Sequence, residues 1–457
     1  MKDLTRGKEA RLIIRFATPM LLGNLFQQLY NIVDSIIVGN VLGKQALAAV
    51  GASYPVIFTV ISLLIGVASG TTIVIAQYFG ARQYEQVKKA MDTFYIFAFF
   101  ASIFLSALGI YFSDDLFRLL KLPAEVLPQA REYLHIILAG IIVFFGLNGT
   151  NAILRGLGDS KTPLFFQAGA TLTNIALDLL FVVVFRWGIA GAAIATVLAQ
   201  ALALGVAIWY LNKHHRLIHI SLFGMRFDRE IFRKSIRIGL PTGFQQTFVA
   251  LGMMALMGIV NTFGTDVIAA YSVAGRLDSL AILPAMNFSA ALATFVGQNL
   301  GAGKPERVKK GLFATFWMSA LFSLVITAVM QIFPEQLMSL FTQDANVIAI
   351  GRQYLVIVSA FYIVFSAMFA LNGVLRGAGD TLVPMFITLF ALWVIRIPSA
   401  WLLSRHLGVI GIWWAVPLGA FTGFTLTFLY YLTGKYREKV VVRRPAAAKP
   451  PEGTPVV

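Results

Sequence analysis

Long apolar runs, separated by short polar segments, fill the chain from residue 15 to residue 433. A helix needs about 20 apolar residues to cross the roughly 30 Å hydrocarbon core of a bilayer. Runs of that length occur twelve times, so the pattern predicts an all-α integral membrane protein. The predicted spans are 15–39, 48–79, 91–112, 131–154, 162–186, 188–211, 234–262, 268–300, 311–333, 350–375, 382–404 and 409–433.

The two halves of the chain repeat each other. The phrase "NAILRGLGDSKTP" begins at Asn151, and "NGVLRGAGDTLVP" begins 221 positions later at Asn372. At the same interval, "QYFGARQYEQVKKA" begins at Gln77 and "QNLGAGKPERVKKG" at Gln298. Each repeat holds six spans, an even number, so both copies have the same orientation in the membrane. We therefore predict two six-helix bundles related by a pseudo-twofold axis along the membrane normal.

The repeat sets the expected division of the chain. A first lobe covers 1–213, a loop covers 214–233 and a second lobe covers 234–434. The last segment, 435–457, contains "VVRRPAAAKPPEGTPVV", which is rich in proline and has no hydrophobic face. Such a composition predicts a disordered tail.

Basic residues are distributed unequally between the two sets of predicted loops. The termini and alternate loops hold 28 lysines and arginines, and the opposite loops hold seven. By the positive-inside rule, we expect both termini to be cytoplasmic in a multi-pass protein of the inner cell membrane. The net charge of +16 is explained by this topology, so no nucleic-acid partner is predicted.

The G-x-G-D phrase also occurs in intramembrane aspartyl proteases. That chemistry needs two aspartates sharing a proton inside the membrane, whereas Asp159 and Asp380 fall in predicted loops. Each precedes a proline by four residues, so we expect it to cap the next helix. The sequence has no cysteine, no H-E-x-x-H, no nucleophile elbow and no P-loop lysine. We predict no enzymatic activity and no cofactor.

Two predicted spans of the first lobe carry polar stripes. Three- and four-residue steps place the polar residues of each span on one helical face. Span 1 carries Asn24, Gln27, Gln28, Asn31, Asp34 and Ser35, and span 5 carries Gln167, Thr171, Asn174 and Asp178. An aspartate at the centre of a membrane helix costs about 2.5–3.5 kcal/mol on insertion scales, so each acid needs a reason.

The acids of the two stripes are predicted to lie at the same depth in the membrane. At about 1.5 Å of rise per residue, Asp34, Asp178 and Thr196 all lie roughly 9–12 Å from the outer face. Carboxylate, amide and hydroxyl oxygens suit a hard cation such as sodium. Two neighbouring carboxylates also suit a proton, which would compete with sodium. The alternative is that both acids only hydrogen-bond to neighbouring helices.

The second half lacks this pair of acids. The positions 221 residues after Asn174 and Asp178 are Ile395 and Ser399, so only the first lobe is suited to an ion. Span 8 contains Arg276 and Asp278, and Arg396 lies at a plausible height in span 11. We favour a paired structural network for these three, because buried charges usually pair, and contact with substrate is the alternative.

The chain resembles the multidrug and toxic compound extrusion (MATE) family, in the branch typified by the DNA-damage-inducible efflux proteins. The resemblance rests on "LFQQLYNIVDSIIVGNVLG", on the two loops at Gln77 and Gln298, and on both "LRGxGD" phrases. It implies export of organic, often cationic, compounds in exchange for sodium ions or protons. It also implies a cation site and a substrate pathway. The implied cation site is Asp34, Asn174, Asp178 and Thr196; the pathway includes Gln27, Tyr30 and Asn151, to which we add Thr171 and Gln200.

Alternating access between two like-oriented lobes is the expected mechanism. A sodium ion or proton entering from outside would disfavour bound drug, and Pro19 with Gly23 would let span 1 bend. We expect small organic substrates, a surrounding lipid bilayer and a monomer. A flippase for a lipid-linked sugar is a competing hypothesis, although its pyrophosphate would favour a basic cavity rather than an acidic one. A membrane-embedded enzyme is a further alternative, which the absence of catalytic motifs disfavours, and the sequence leaves a passive channel open.

Overall fold

The computed structural model describes residues 2–119, 122–214 and 224–442, and it is almost entirely helical. The first half contains eight helices and two π-helical segments. These helices are α1 (Glu9–Ile37), α2 (Lys44–Gly80), α3 (Tyr84–Tyr111), α4 (Ser113–Leu119), α5 (Leu127–Ala139), α6 (Ile141–Gly156), α7 (Lys161–Asp178) and α8 (Gly188–His214). The π-helical segments are Val38–Leu42 after α1 and Leu179–Val184 after α7.

The described part of the second half contains nine helices, one π-helical segment and two 3₁₀ turns. The helices are α9 (Arg229–Val260), α10 (Thr265–Gly301), α11 (Pro305–Ile332), α12 (Pro334–Ser339), α13 (Ala345–Ser359), α14 (Tyr362–Ala378), α15 (Leu382–Leu389), α16 (Ile397–Leu407) and α17 (Val409–Leu432). The π-helical segment Phe390–Arg396 joins α15 to α16, and the 3₁₀ turns are Asn261–Phe263 and Lys435–Lys439.

These elements form the twelve predicted membrane spans. Within the described residues, nine helices are long and apolar enough to cross a membrane, and the bent pairs α5–α6 and α13–α14 raise the number to eleven. The remaining span is α1, which has 29 residues but carries the polar stripe of the first predicted span. The prediction of two six-helix bundles is confirmed. The first lobe contains α1 to α8, and the second contains α9 to α17.

The loop at each LRGxGD phrase differs between the lobes. Asp159 accepts hydrogen bonds from the amides of Lys161 and Thr162 at 3.0 and 3.1 Å, so it caps α7 as expected. Asp380 instead accepts a hydrogen bond from the Tyr430 hydroxyl at 2.5 Å. No described amide at the start of α15 donates to the Asp380 carboxylate, so the expected cap is present in one copy and not in the other.

Glycines bring the two lobes together along the seam between α2 and α9. Gly66 and Gly70 on α2 pack against Gly239 and Gly243 on α9. A methyl group at Gly66 would lie 2.6 Å from the Gly243 nitrogen and 2.7 Å from the Gly239 oxygen. Both helices therefore carry a G-x-x-x-G pair, which lets their backbones approach closely. The opposite seam, between α1 and α10, contains a hydrogen bond of 2.9 Å from Asn24 to Asn287.

The two described ends of the chain lie at one end of the bundle, which we call the terminal end. The Leu4 amide donates to Gln298, and the Val441 amide donates to Gln77, at the ends of α10 and α2. Both LRGxGD loops lie at the same end. Residues 215–223 of the predicted loop between the lobes and 443–457 of the predicted disordered tail are outside the described residues.

Candidate functional site

Each acid of the predicted cation site lies where regular helix ends. Asp178 is the last residue of α7, and Asp34 lies three residues before the end of α1. A π-helical segment follows each of these helices. Such segments interrupt the regular hydrogen-bond ladder and often occur at functional sites. The hydrophobic pattern did not reveal them, because a π-helical segment keeps the apolar composition of the span around it.

The Asp178 carboxylate has no hydrogen-bond partner. Its side chain is completely buried, and neither oxygen is bonded within the described structure. Asn174 lies one turn earlier and close to Asp178, but its amide nitrogen points to Thr196 Oγ1 at 3.3 Å. The Asn174 amide oxygen is also buried without a partner. Three buried oxygens of two neighbouring residues are thus available to a ligand.

Asp34 lies close to Asp178, across the contact between α1 and α7. The two carboxylates are near enough for their charges to interact. Asp34 is 7% exposed, and no described residue donates a hydrogen bond to its carboxylate. The structure therefore brings together the two acids that depth alone had placed at one level, and no described arginine or lysine forms an ion pair with either.

Thr196 and Tyr30 complete the enclosure of this site. Thr196 on α8 is buried, and its hydroxyl lies 3.2 Å from the Tyr30 hydroxyl and 3.3 Å from the Asn174 amide nitrogen. Tyr30 is one turn before Asp34 on α1, so the substrate-pathway residue predicted from the resemblance contacts the predicted cation site. A change at the ion site would therefore reach Tyr30 through a single hydroxyl contact.

Tyr133 is a site residue that the sequence pattern did not reveal. It is buried on α5, and its hydroxyl is close enough to Tyr30, Asp34 and Asp178 to interact with them electrostatically. Its position near the start of the fourth predicted span indicated a similar depth, but a single tyrosine among apolar residues gave no further signal.

The donor set fits a small monovalent cation or a proton. Two carboxylates, an amide oxygen and a hydroxyl are hard oxygen ligands, and one cation would satisfy several buried atoms that have no partner. Within the described residues, no group of three or more His, Cys, Asp or Glu side chains forms a metal cluster.

The remaining predicted pathway residues occupy two environments. Gln27 is exposed and Gln200 is half-buried, whereas Asn151 and Thr171 are buried. The Asn151 amide oxygen and the Thr171 hydroxyl have no hydrogen-bond partner in the described structure. These two residues thus offer unsatisfied polar atoms, and their contact with a substrate stays a prediction.

The predicted hinge lies within a continuous helix. Pro19 is buried inside α1, and the helix runs through it without a break. Gly23 packs one turn later against Leu164 of α7, where an added methyl group would lie 3.9 Å from the leucine side chain. Bending of α1 at this point stays a prediction.

The second-lobe charged residues pair differently from the expected network. Asp278 accepts hydrogen bonds from the hydroxyls of Tyr362 at 2.7 Å and Tyr354 at 3.3 Å. Arg396 is close enough to interact electrostatically with Asp278, but the two form no ion pair. The Arg396 Nε atom is buried without a hydrogen-bond partner. Arg276 is exposed and forms no ion pair with any described residue, so the described structure does not place all three charges in one ion-paired network. The tyrosines supply the partners instead.

Comparison with known proteins places this geometry in a family. The profile of the MatE family matches residues 19–180 and 241–402, one range in each lobe. A protein described as a probable multidrug resistance protein, YpnP of Bacillus subtilis (strain 168), is 35% identical over 95% of this chain and 97% of its own length.

Two further similarities bear on structure and cargo. A solved structure described as the outward-facing conformation of a multidrug resistance MATE family transporter superposes with a TM-score of 0.90 at 26% identity. That likeness covers 96% of this chain and 99% of the other. A protein described as an FAD transporter, from Shewanella oneidensis (strain ATCC 700550), is 28% identical over 92% of this chain and 94% of its own length.

Proposed function

The chain belongs to the MATE family of membrane transporters, and from this premise we propose that it is a multidrug efflux antiporter driven by sodium ions or protons. It would export small organic, often cationic, compounds. Members of this family are transporters, so the prediction that the chain is not an enzyme is confirmed. We infer that a coupling ion would act inside a membrane-embedded lobe.

The observation that carries the proposed ion coupling is the unsatisfied Asp178 carboxylate. A buried carboxylate without a hydrogen bond or a counter-charge is costly in an apolar setting. Asp34 lies near enough to add repulsion. A bound sodium ion or proton would remove part of both costs, so we infer that ion binding is favourable in this conformation. A structural role for Asp178 would instead predict partners like those of Asp278.

Exchange would follow from competition in the first lobe. Tyr30 contacts Thr196 of the ion site and lies one turn after Gln27 of the predicted substrate pathway on α1. An ion that draws the Asp34 carboxylate toward Asp178 would shift this part of α1. We propose that the shift weakens substrate contacts and releases the compound outward, and that Pro19 and Gly23 permit the bending.

The distribution of lysine and arginine supports one orientation of the protein in the cell membrane. The terminal end carries the loops in which lysine and arginine are concentrated, so we propose that this end is cytoplasmic. Both termini would then be inside, and the acid pair would lie nearer the outer face. We propose a monomer as the working unit, because each chain contains both lobes that alternating access requires.

Efflux from proteoliposomes tests the coupling. Full-length protein would be reconstituted, loaded with ethidium, and given an imposed sodium or proton gradient. We expect uphill export by the parent protein. Asp34→Asn and Asp178→Asn keep the side-chain size but remove the charge, so each should abolish gradient-driven export while drug binding persists.

A matched acid in the other lobe provides the control. Asp278→Asn removes an intramembrane charge of the same kind, at a site whose oxygens already have hydroxyl partners. We expect it to retain the response to the gradient. Undiminished gradient-driven export in both Asp34→Asn and Asp178→Asn would contradict the assigned roles. Downhill movement alone would indicate a passive channel.

A second cargo class is favoured by one observation in the second lobe. Arg396 has a buried Nε atom without a partner. It lies near Tyr271, which stacks on Trp413 with ring centroids 5.7 Å apart. A guanidinium group beside aromatic rings suits an anionic, planar compound. The similarity to the protein described as an FAD transporter agrees with this second class. Export of a flavin dinucleotide that is lost in Arg396→Gln would favour it over cationic cargo.

A further inference from the structure

Gln77 near the end of α2 and Gln298 near the end of α10 occupy equivalent positions of the repeat. The side chain of each forms a hydrogen bond to the other lobe. The Gln77 amide nitrogen donates to the Gly377 carbonyl at 3.0 Å, and the Gln298 amide nitrogen donates to the Gly156 carbonyl at 3.1 Å. Gln77 and Gln298 are 221 residues apart, and so are Gly156 and Gly377. Each glycine belongs to the LRGxGD phrase of its lobe. The two repeated motifs therefore bind each other reciprocally across the interface.

The other end of each glutamine side chain holds a terminal segment. The Leu4 amide donates to Gln298 Oε1 at 3.0 Å, and the Val441 amide donates to Gln77 Oε1 at 2.7 Å. Both glutamines are completely buried. Each side chain thus uses its donor on the opposite lobe and its acceptor on one end of the chain.

Close backbone contacts surround these hydrogen bonds. A methyl group at Gly80 would collide with the Gln298 backbone carbonyl, and one at Gly301 would collide with the Gln77 backbone carbonyl. The helix ends of α2 and α10 therefore touch through glycine, which leaves no room for water between them. The terminal end is closed by contact of main chains that only glycine permits.

The amino-terminal segment adds a strap on the second lobe. Lys304 Nζ donates to the Thr5 carbonyl at 2.9 Å, and Arg307 donates to the Gly7 carbonyl at 2.7 Å. Arg307 also forms an ion pair of 3.1 Å with Glu9 at the start of α1. The segment that leads into the first lobe is thus fixed to the second.

We propose that Gln77 and Gln298 are the gating residues of the terminal end, which hold the two lobes closed there until the transport cycle opens it. The proposal rests on the proposed function, because a gate implies alternating access. Neutral amide hydrogen bonds suit a reversible gate. When the lobes separate, water replaces each partner, so each bond changes the ratio of closed to open states only about two- to tenfold.

This role differs from simple stabilisation of one lobe. Both glutamine donors cross between lobes, so their loss should favour separation of the lobes rather than unfolding of either one. Gln331 offers a matched control. Its amide nitrogen donates to the Val356 carbonyl at 2.7 Å and to Ser359 Oγ at 3.1 Å, both within the second lobe.

Distance measurement between the lobes tests the gate. The sequence contains no cysteine, so Gln83→Cys and Glu306→Cys would provide two unique, exposed label sites, one in each lobe at the terminal end. Spin labels would be attached to the two cysteines. The distance between the labels would be measured by pulsed electron paramagnetic resonance on full-length protein in proteoliposomes without drug or ion gradient. This readout does not depend on transport, so a failed gate and a failed antiporter assignment give different results.

Methionine substitutions keep the length of the side chain and remove its hydrogen bonds. We expect the parent protein to show mainly one short distance. Gln77→Met and Gln298→Met should each raise the population of longer distances about two- to tenfold, and the double variant should raise it more. Gln331→Met should leave the distribution unchanged. An unchanged distribution in the folded double variant would overturn the proposal.

A second variant covers the case in which the methionine variants do not fold. Val441→Pro removes the amide hydrogen that binds Gln77 Oε1 and lies outside any helix. We expect a smaller shift toward long distances than for Gln77→Met, because the bond to Gly377 remains. A distance distribution identical to that of the parent would again count against the gate.

Discussion

Each lobe has an acid inside its membrane helices close to tyrosines, Asp178 in the first and Asp278 in the second, and the two acids differ in their hydrogen bonding. Asp278 of the second lobe accepts hydrogen bonds from two tyrosine hydroxyls, whereas Asp178 of the first lobe accepts none. Tyr354, which binds Asp278, is the repeat equivalent of Tyr133, which lies near Asp178 without bonding to it. The tyrosine at this repeat position thus donates a hydrogen bond to the acid in the second lobe but not in the first.

This difference in hydrogen bonding indicates which of the two acids would gain from binding a cation. A carboxylate whose oxygens already have donors gains little from a cation, because binding would have to displace those donors. A buried carboxylate without donors gains much more. Hydrogen-bond satisfaction, rather than the mere presence of an intramembrane acid, therefore separates the proposed coupling site from a structural one in this protein.

The strongest test of this comparison is sodium-dependent stability. A ligand present at 100 times its dissociation constant stabilises the folded state by about 2.7 kcal/mol. We expect the parent protein and Asp278→Asn to show such stabilisation in sodium, measured as the shift of thermal unfolding in detergent against a potassium control. Asp178→Asn should lose it completely. Retained stabilisation in Asp178→Asn would show that the two acids do not differ in this way.

Removal of single tyrosine hydroxyls tests how much each hydroxyl contributes to the stability of its site. Tyr362→Phe should lower the free energy of unfolding by about 1–3 kcal/mol, because a half-buried carboxylate loses its 2.7 Å donor. Tyr30→Phe should cost less than about 1 kcal/mol, because the longer contact to Thr196 joins two neutral hydroxyls. Thermal or denaturant unfolding of both variants in the same detergent would measure the difference. Equal costs would argue that Asp278 is no better satisfied than the first-lobe site.

The membrane spans and the acid pair could be predicted from the sequence. Bilayer thickness dictates an apolar run of about 20 residues, and rise per residue fixes depth within it. Asp34 and Asp178 could therefore be placed at one level, and the structure brings them together. The polar stripe also explains why α1 is not among the helices that are apolar enough by hydropathy to cross a membrane.

The partners of the buried groups could not be predicted in the same way. Asp278 bonds to tyrosines 76 and 84 residues away, and Gln77 bonds to a glycine 300 residues away. Periodicity along one helix indicates a face but not the side chain that meets it. For this reason the pattern grouped Arg276 with Asp278, although Arg276 lies exposed. The duplicated phrases showed that two loops are alike, but not that each binds the other.

The LRGxGD loops extend the comparison to the helix starts. Asp159→Ala should destabilise the first lobe by about 0.5–2 kcal/mol, because two amides of α7 lose their cap, and Asp159→Asn should restore most of that loss. The cost of Asp380→Ala should depend on Tyr430 instead. A double-mutant cycle with Tyr430→Phe would measure that dependence, and additive effects would contradict it.

The smallest expected difference concerns two ion pairs that the repeat places at equivalent positions. Arg131 binds Asp114 in the first lobe through two nitrogens, and Arg352 binds Glu335 in the second through one, at 2.9 Å. All four side chains are at least 39% exposed, so solvent weakens both pairs. Arg131→Ala and Arg352→Ala should each cost less than about 1 kcal/mol, with the two-nitrogen pair costing more, and high salt should reduce both costs. Unfolding measured at low and high ionic strength would show this, whereas a larger, salt-independent loss at Arg352 would mean that the second lobe relies on its outer ion pair in a way that the first does not.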